Sequence, residues 1–324
     1  MRVCFVGQFY EDLDEGARNV GKCLVKEFKN GKIETMSIYV NNVLNSNKIK
    51  KFNPDIIHFI LAPTWKGLLI SKITSILNPN SKIIISAVHP AVPDFKLIKF
   101  LRPDLVLIQS KNSEKIFESL KFRTLFLPNG VDTNRFIEKD GETKNKLRRQ
   151  YNIPTDKFVI LHLASFQRKR NLDIFKELQK DEENMVLLIG RENENADLEL
   201  IDELKNAGCK VWIKHFPKIE DIYNISDCYL FPTLEKKACI ETPLSVLEGM
   251  SCNLPVITTK FGSLPELFEP KNGLFFYEDE KEVFEYINNL KNEDVFIDNR
   301  EKVSQYSWNC LYHKLIEIYD DLLK

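Results

Sequence analysis

Short apolar, β-branched runs recur along the chain, each followed by a stretch in which apolar residues return every three or four positions. Val3–Val6, Thr35–Tyr39, Ile56–Ile60, Lys82–Ser86, Leu105–Ile108 and Thr124–Leu127 read as the strands of a first half. Between them, Ala17–Phe28, Gly67–Leu77 and Asn112–Leu120 carry helical spacing. The pattern pauses at Pro128–Phe136 and at the polar stretch Glu138–Arg149, then restarts. Second-half strands fall at Val159–Leu163, Met185–Ile189, Lys210–Ile213, Cys228–Phe231, Pro255–Thr258 and Leu274–Phe276, with helices at Asn171–Gln179, Leu198–Asn206 and Pro243–Ser251. Parallel neighbours need a crossover and a helix supplies it, so this alternation predicts parallel sheets covered by helices. The expected fold class is α/β, with two Rossmann-like doubly wound domains, residues 1–136 and 137–305, facing across a cleft. Sheets of this kind bind ligands beyond the carboxyl ends of their strands.

A length of 324 residues suits two such domains. Net charge is −1, which offers nucleic acid no global field. The charge is divided unevenly: residues 1–136 hold 20 Lys and Arg against 12 Asp and Glu, and the remainder 26 against 35. A basic first half suits an anionic membrane face or acceptor, or simply solvated helix surfaces. The seven cysteines follow no pairing pattern, which predicts reduced thiols. With no leader-like start and no apolar run near the ~20 residues of a spanning helix, the expectation is a cytoplasmic protein, at most touching the membrane from the cytoplasmic side.

The most informative stretch runs from Ile240 to Met250. Thr242 suits an N-cap and Pro243 a first helical position, so a helix should open under Leu244 and Ser245. Free N–H groups and the helix dipole at such a terminus attract phosphate. Glu248, more than one turn in, could accept both hydroxyls of a ribose, and Glu241 could reach a sugar hydroxyl. Upstream lie Pro128-Asn129-Gly130-Val131-Asp132, a turn between domains, and the basic loop Ser165-Phe166-Gln167-Arg168-Lys169-Arg170-Asn171. Downstream come Phe261–Glu266, Asn272-Gly273-Leu274 and the ending Tyr306-Ser307-Trp308 with a last helix.

In this order these pieces resemble the GT-B retaining glycosyltransferases called group 1 or family 4 (GT4), over nearly the whole chain. The resemblance implies transfer of a sugar from a nucleotide-sugar donor to a glycan or lipid-linked acceptor hydroxyl, with retention and without a metal or other cofactor. It implies that residues 306–324 cross back to the first domain. Its signature has two glutamates separated by seven residues. Glu248 matches the second, the ribose ligand; the first falls on Ile240, so either Glu241, one step late, takes its role near the donor sugar or that carboxylate is missing. The family grips the diphosphate with an Arg and a Lys after the first strand of the second domain. Arg170 matches the Lys, and Ser165 stands at the Arg position, leaving Arg168 or Lys169 to compensate. By the same resemblance His89 and the Gly16 loop approach the donor sugar, and Phe216 and its neighbours lie by the nucleobase. The catalytic set is thus Glu241, His89 and Arg170. Donor binding falls to Glu248, Leu244, Ser245, Arg168, Lys169, Ser165, Gly16 and Phe216.

Two short patterns point elsewhere. Gly16–Lys22 has Walker A spacing, yet it does not directly follow a strand, and Cys23 replaces the magnesium-binding hydroxyl. Asp12-Leu13-Asp14 spells a metal-binding triplet in an acidic loop. No GxGxxG follows the first strand, which disfavours a dehydrogenase. A nucleotide-sugar epimerase and a non-catalytic binding protein of the same fold are the alternatives.

Overall fold

The computed structural model describes residues 1–9, 16–44, 47–89, 96–163, 165–190 and 196–324, with the side chains of residues 17, 96 and 97 excluded. The Asp12–Asp14 triplet and Glu15 lie outside the described residues. The chain divides into two compact units. The first holds residues 1–130, 239–243 and 306–324; the second holds 131–238 and 244–305. The boundary falls six residues before the one read from sequence. A five-residue segment between two elements of the second unit belongs to the first.

The first unit runs β1 (Arg2–Gly7), α1 (Gly16–Asn30), β2 (Glu34–Tyr39), α2 (Asn47–Phe52), β3 (Ile56–Leu61), α3 (Trp65–Leu77), β4 (Lys82–Ala87), β5 (Leu105–Ile108), α4 (Lys111–Ser119) and β6 (Thr124–Phe126). The second runs α5 (Gly141–Gln150), β7 (Phe158–Leu163), α6 (Ile174–Leu178), β8 (Asn184–Gly190), α7 (Leu198–Asn206), β9 (Lys210–Ile213), α8 (Ile219–Asn224) and β10 (Cys228–Phe231). It continues with α9 (Leu244–Ser251), β11 (Val256–Thr258), α10 (Leu264–Leu267), β12 (Leu274–Phe276), α11 (Glu280–Asn292) and α12 (Asn299–Ser304). Helix α13 (Trp308–Leu323) then returns to the first unit.

Both sheets are parallel throughout. Their central strands are covered on both faces, which is why they read as unbroken apolar runs rather than alternating ones. The first sheet has the order β2-β1-β3-β4-β5-β6, and the second β12-β11-β10-β7-β8-β9. Winding runs outward from β7 through β8 to β9, then restarts at β10 on the other side of β7. This is the 3-2-1-4-5-6 order of dinucleotide-binding sheets, with its switch point between β7 and β10. The first sheet reverses one strand earlier, between β1 and β3.

Helix α13 is tied to the first unit by aromatic rings and one buried histidine. Phe28 packs edge-on to Tyr312 with centroids 4.8 Å apart. His58 on β3 bridges the Tyr319 hydroxyl through Nδ1 and the Ser86 hydroxyl through Nε2 at 2.7 Å. Gly130 must lack a side chain, because a Cβ there would sit 2.8 Å from the Trp308 ring.

Walker A spacing does not make a phosphate loop here, since Gly16–Lys22 lies wholly within α1. The polar stretch 138–149, expected as a break, forms most of α5. Asp140 caps it by accepting from Thr143 N at 2.8 Å, and buried Arg148 donates to Asp227 and to the Ile225 carbonyl. Those partners lie far off in sequence, where a local apolar pattern carries no trace of them.

Candidate functional site

In the second unit the switch point gathers the polar groups that sequence placed around the donor. Helix α9 follows β10 and begins at Leu244, one residue later than Pro243 suggested. Its first turn is fixed to the strand ends through Tyr229. The Tyr229 hydroxyl donates to Ser245 Oγ at 2.7 Å and lies 3.4 Å from the Leu163 carbonyl at the end of β7. The Leu244–Ser245 turn therefore sits at the carboxyl edge of neighbouring strands, where its N–H groups suit an anion. One turn on, Glu248 accepts from the Tyr223 hydroxyl at 2.7 Å. Tyr223 is wholly buried, and burial together with the neighbouring carboxylate raises its pKa well above the ordinary phenol value. A buried phenol thus orients Glu248 without neutralising it.

Beyond β7, Ser165 is half-buried and opens the basic loop. Arg168–Arg170 forms a single 3-10 turn, ended by Asn171 in the left-handed region at φ 57°. That turn explains why the helix read from Asn171 begins only at Ile174. The three cations are used differently. Arg168 is engaged on α7, with carboxylate oxygens of Glu203 at 2.6 Å, Asp197 at 3.2 Å and Glu199 at 3.6 Å. Lys169 is exposed beside a shallow depression bounded by Gln167, Arg168 and Asp197. Arg170 turns inward, and its buried Nε finds no hydrogen-bond partner among the described residues.

The charge of that guanidinium reaches His162 on β7, a residue sequence reasoning passed over. Its Nδ1–H donates to the Leu230 carbonyl at 2.8 Å, which leaves Nε2 as a buried acceptor without a partner among the described residues. Burial first, with a smaller contribution from the positive charge of Arg170, lowers its pKa to about 3 despite the opposing hydrogen bond to Leu230. The Thr233 and Tyr277 hydroxyls, just past the carboxyl ends of β10 and β12, also lack partners among the described residues. Unmatched buried polar atoms are uncommon in folded proteins and call for an explanation. Phe216 follows β9 and is buried against Trp212, with ring centroids 5.3 Å apart.

Three candidates belong to the first unit. Gly16 opens α1 and abuts Ile240; a Cβ there would come within 2.9 Å of the Ile240 side chain. His89 is half-buried, two residues past β4 at its carboxyl end. Glu241 is 4% exposed, and its two oxygens accept from Ser110 Oγ at 2.6 Å and Ser113 Oγ at 2.7 Å. Ser110 also caps α4 by accepting from Ser113 N at 3.1 Å. Next to it, Asn129 Nδ2 donates to the Thr242 carbonyl at 3.0 Å, and Thr242 N donates to Gln109 Oε1 at 3.3 Å. Glu241 is thereby an anchor for residues 239–243. No local pattern in the sequence marks the engagement of Ser110 with a residue 131 positions away.

Hydrogen bonds to a charged acceptor contribute about 1.5–3 kcal/mol. Glu241→Ala should therefore lower the stability of the first unit by about 2–3 kcal/mol, measured by urea unfolding. An unchanged midpoint would show that the serines hold nothing.

The model of the family described as "Glycosyl transferases group 1" matches residues 143–309. Among curated relatives, an uncharacterized glycosyltransferase of Methanocaldococcus jannaschii is 26% identical over 65% of this chain and 57% of its own length. The sulfoquinovosyl transferase SQD2 of Arabidopsis thaliana is 23% identical over 83% of this chain and 57% of its own. The chain thus spans little more than half the length of these two relatives. Among solved structures, Anabaena Alr3699/HepE, crystallised with UDP and glucose, superposes with a TM-score of 0.76 at 17% identity, covering 99% of this chain and 100% of that one. A glycosyltransferase from Rickettsia africae gives 0.75 at 17% identity, over 100% of this chain and 98% of that one. These likenesses establish a fold of two Rossmann-like units of the GT-B kind, and the family match covers just over half of the sequence: the chain belongs to the group 1 glycosyl transferases.

Proposed function

We propose that the protein transfers a sugar from a nucleoside-diphosphate donor to an acceptor hydroxyl with retention of anomeric configuration. One observation carries this reading: at the β7/β10 switch point, the first turn of α9, the carboxylate of Glu248 and the inward guanidinium of Arg170 all belong to one strand edge. A helix N-terminus and a fixed cation match a diphosphate, and a carboxylate one turn away matches the paired hydroxyls of ribose. The solved relative with UDP and glucose makes a uridine nucleotide the first donor to test.

In this reading Leu244 and Ser245 N–H groups and Arg170 meet the diphosphate, with Lys169 at the rim. Arg168, tied to three carboxylates, has the smaller part. Ser165 and the segment around Phe216 border the nucleotide at the ends of β7 and β9. The anomeric C–O bond to the diphosphate breaks as the acceptor oxygen bonds to the same carbon. The acceptor proton passes to the departing phosphate oxygen, so no separate side-chain base is needed. Charge building on the leaving group is met by groups already in place, usually the largest catalytic contribution. His89 and Gly16 supply the sugar-facing contacts of the first unit, and Glu241 contributes by fixing the segment that precedes α9.

The test is a thermal-shift screen of UDP, GDP and ADP sugars, since a ligand bound only by the folded state raises the melting temperature by mass action. A uridine sugar should stabilise the protein, and Glu248→Ala should weaken its binding by roughly ten-fold or more, the 1.5–3 kcal/mol of a charged hydrogen bond. Unchanged affinity in that variant would remove Glu248 from the ribose. Proton NMR of the product should show the donor's anomeric configuration; consumption of donor without acceptor would indicate an epimerase.

A further inference from the structure

Helix α3 has its polarity reversed. It turns Gly67, Leu68, Ser71 and Thr74 inward, and the two buried hydroxyls satisfy themselves by donating to the Leu68 and Ile70 carbonyls, each at 2.8 Å. Its outward face carries the large apolar side chains instead: Trp65 is 50% exposed, Leu69 38%, Ile76 68% and Leu77 40%. The spacing 65, 69, 76 places these along one stripe of the helix. A surface helix of a globular protein ordinarily shows polar residues there.

The stripe does not stand alone. The segment after β4 ends in Lys99 and Phe100, and Phe100 is 63% exposed. A depression lined by Ser71, Lys72 and Ser75 of α3 together with Arg102 and Pro103 shows that this segment lies against the helix. Cations accompany the apolar groups throughout. Lys66 Nζ lies 5.7 Å from the Trp65 ring centroid and Lys99 Nζ 5.3 Å from that of Phe100. From Ile56 to Pro103 the chain carries six Lys and Arg against one acid, Asp94. Asp104, which borders the depression, is turned to the backbone and accepts from Ile83 N at 2.7 Å.

We infer that this face of the first unit, α3 with Lys99–Arg102, docks on an anionic lipid surface. Exposed Trp and Phe rings with Leu and Ile between basic side chains are what a headgroup region accommodates: rings and aliphatic groups enter the interface while Lys and Arg meet phosphate. Among the described residues no helix is long and apolar enough to cross a membrane, so the contact is one of lying on the surface. A protein partner would answer the apolar stripe, whereas the near-absence of acids over this segment selects an anionic surface. The inference is independent of sugar transfer.

Co-sedimentation of the full chain with vesicles, without any nucleotide sugar, tests it. The protein should bind vesicles of phosphatidylcholine with phosphatidylglycerol and not those of phosphatidylcholine alone, and added salt should release it. Replacing Lys66, Lys72, Lys99 and Arg102 together by Gln should weaken binding by roughly 600-fold, since each of the four basic residues near the surface contributes about five-fold. Trp65→Ser with Phe100→Ser should weaken it even at low salt. All these positions are on the surface, so the melting temperature should hold. Failure of the wild type to bind anionic vesicles, equal binding to neutral ones, or full binding by the Gln variant would overturn the proposal. So would a lipid-free dimer that Trp65→Ser dissociates, which would assign the face to a second copy of the chain.

Discussion

Lowering the pH from 7 to 4.5 should remove about 2.7 kcal/mol of stability from each unit through one buried histidine apiece. His58 in the first unit and His162 in the second are both completely buried, and burial lowers each pKa to about 3. In an unfolded chain the same side chains titrate near 6.5. Between those values the unfolded state holds a proton that the folded state refuses, so stability falls as pH falls. The loss begins as pH drops below about 6.5 and continues at about 1.4 kcal/mol per pH unit for each histidine until the folded pKa is reached. Against a typical domain stability of about 5–15 kcal/mol this is a large share. The local reasons differ. His58 has both ring nitrogens on the hydroxyls of Tyr319 and Ser86, and it is burial that opposes a second proton there. His162 Nε2 has no partner among the described residues, but burial and then the Arg170 charge oppose its protonation. Urea unfolding at several pH values should show the slope, and it should flatten in a His58→Gln, His162→Gln double variant. Identical slopes in wild type and variant would assign acid sensitivity to other groups.

The strands were legible because a parallel strand covered on both faces needs an apolar residue at nearly every position, and that requirement is local. The switch point was legible for a related reason: a cap-like Thr242–Pro243, a helix start and Glu248 lie within seven residues of one another. What stayed hidden is paired across long separations. Helix α5 has no apolar stripe, and its anchor Arg148 finds Asp227 79 residues away. Glu241 looked like part of the donor loop because it precedes α9, yet its side chain folds with Ser110 and Ser113. His162 sits inside an apolar run, where only the neighbouring Leu230 carbonyl and the Arg170 charge reveal that it borders a site. Arg168 and Arg170 are two residues apart and indistinguishable by composition; the carboxylates of α7 separate them.

That separation gives the last prediction. Arg170→Ala should lower kcat by about 10²–10³-fold, the loss seen when one fixed group is withdrawn from developing negative charge. The guanidinium is always cationic and offers several donors in a rigid plane, so it can hold a departing diphosphate without rearranging. Its buried Nε has no partner among the described residues, and its charge already acts on His162. Arg168→Ala should cost about three-fold or less, because that side chain is half-exposed and its charge is spent on Asp197, Glu199 and Glu203. Arg170→Lys should recover part of the loss, since a point charge remains while the planar donor set does not. If the interaction belongs to the transition state, KM should change much less than kcat. A larger loss in Arg168→Ala than in Arg170→Ala would transfer the leaving-group role to the outer arginine and leave the inward one a structural part of the β7 edge.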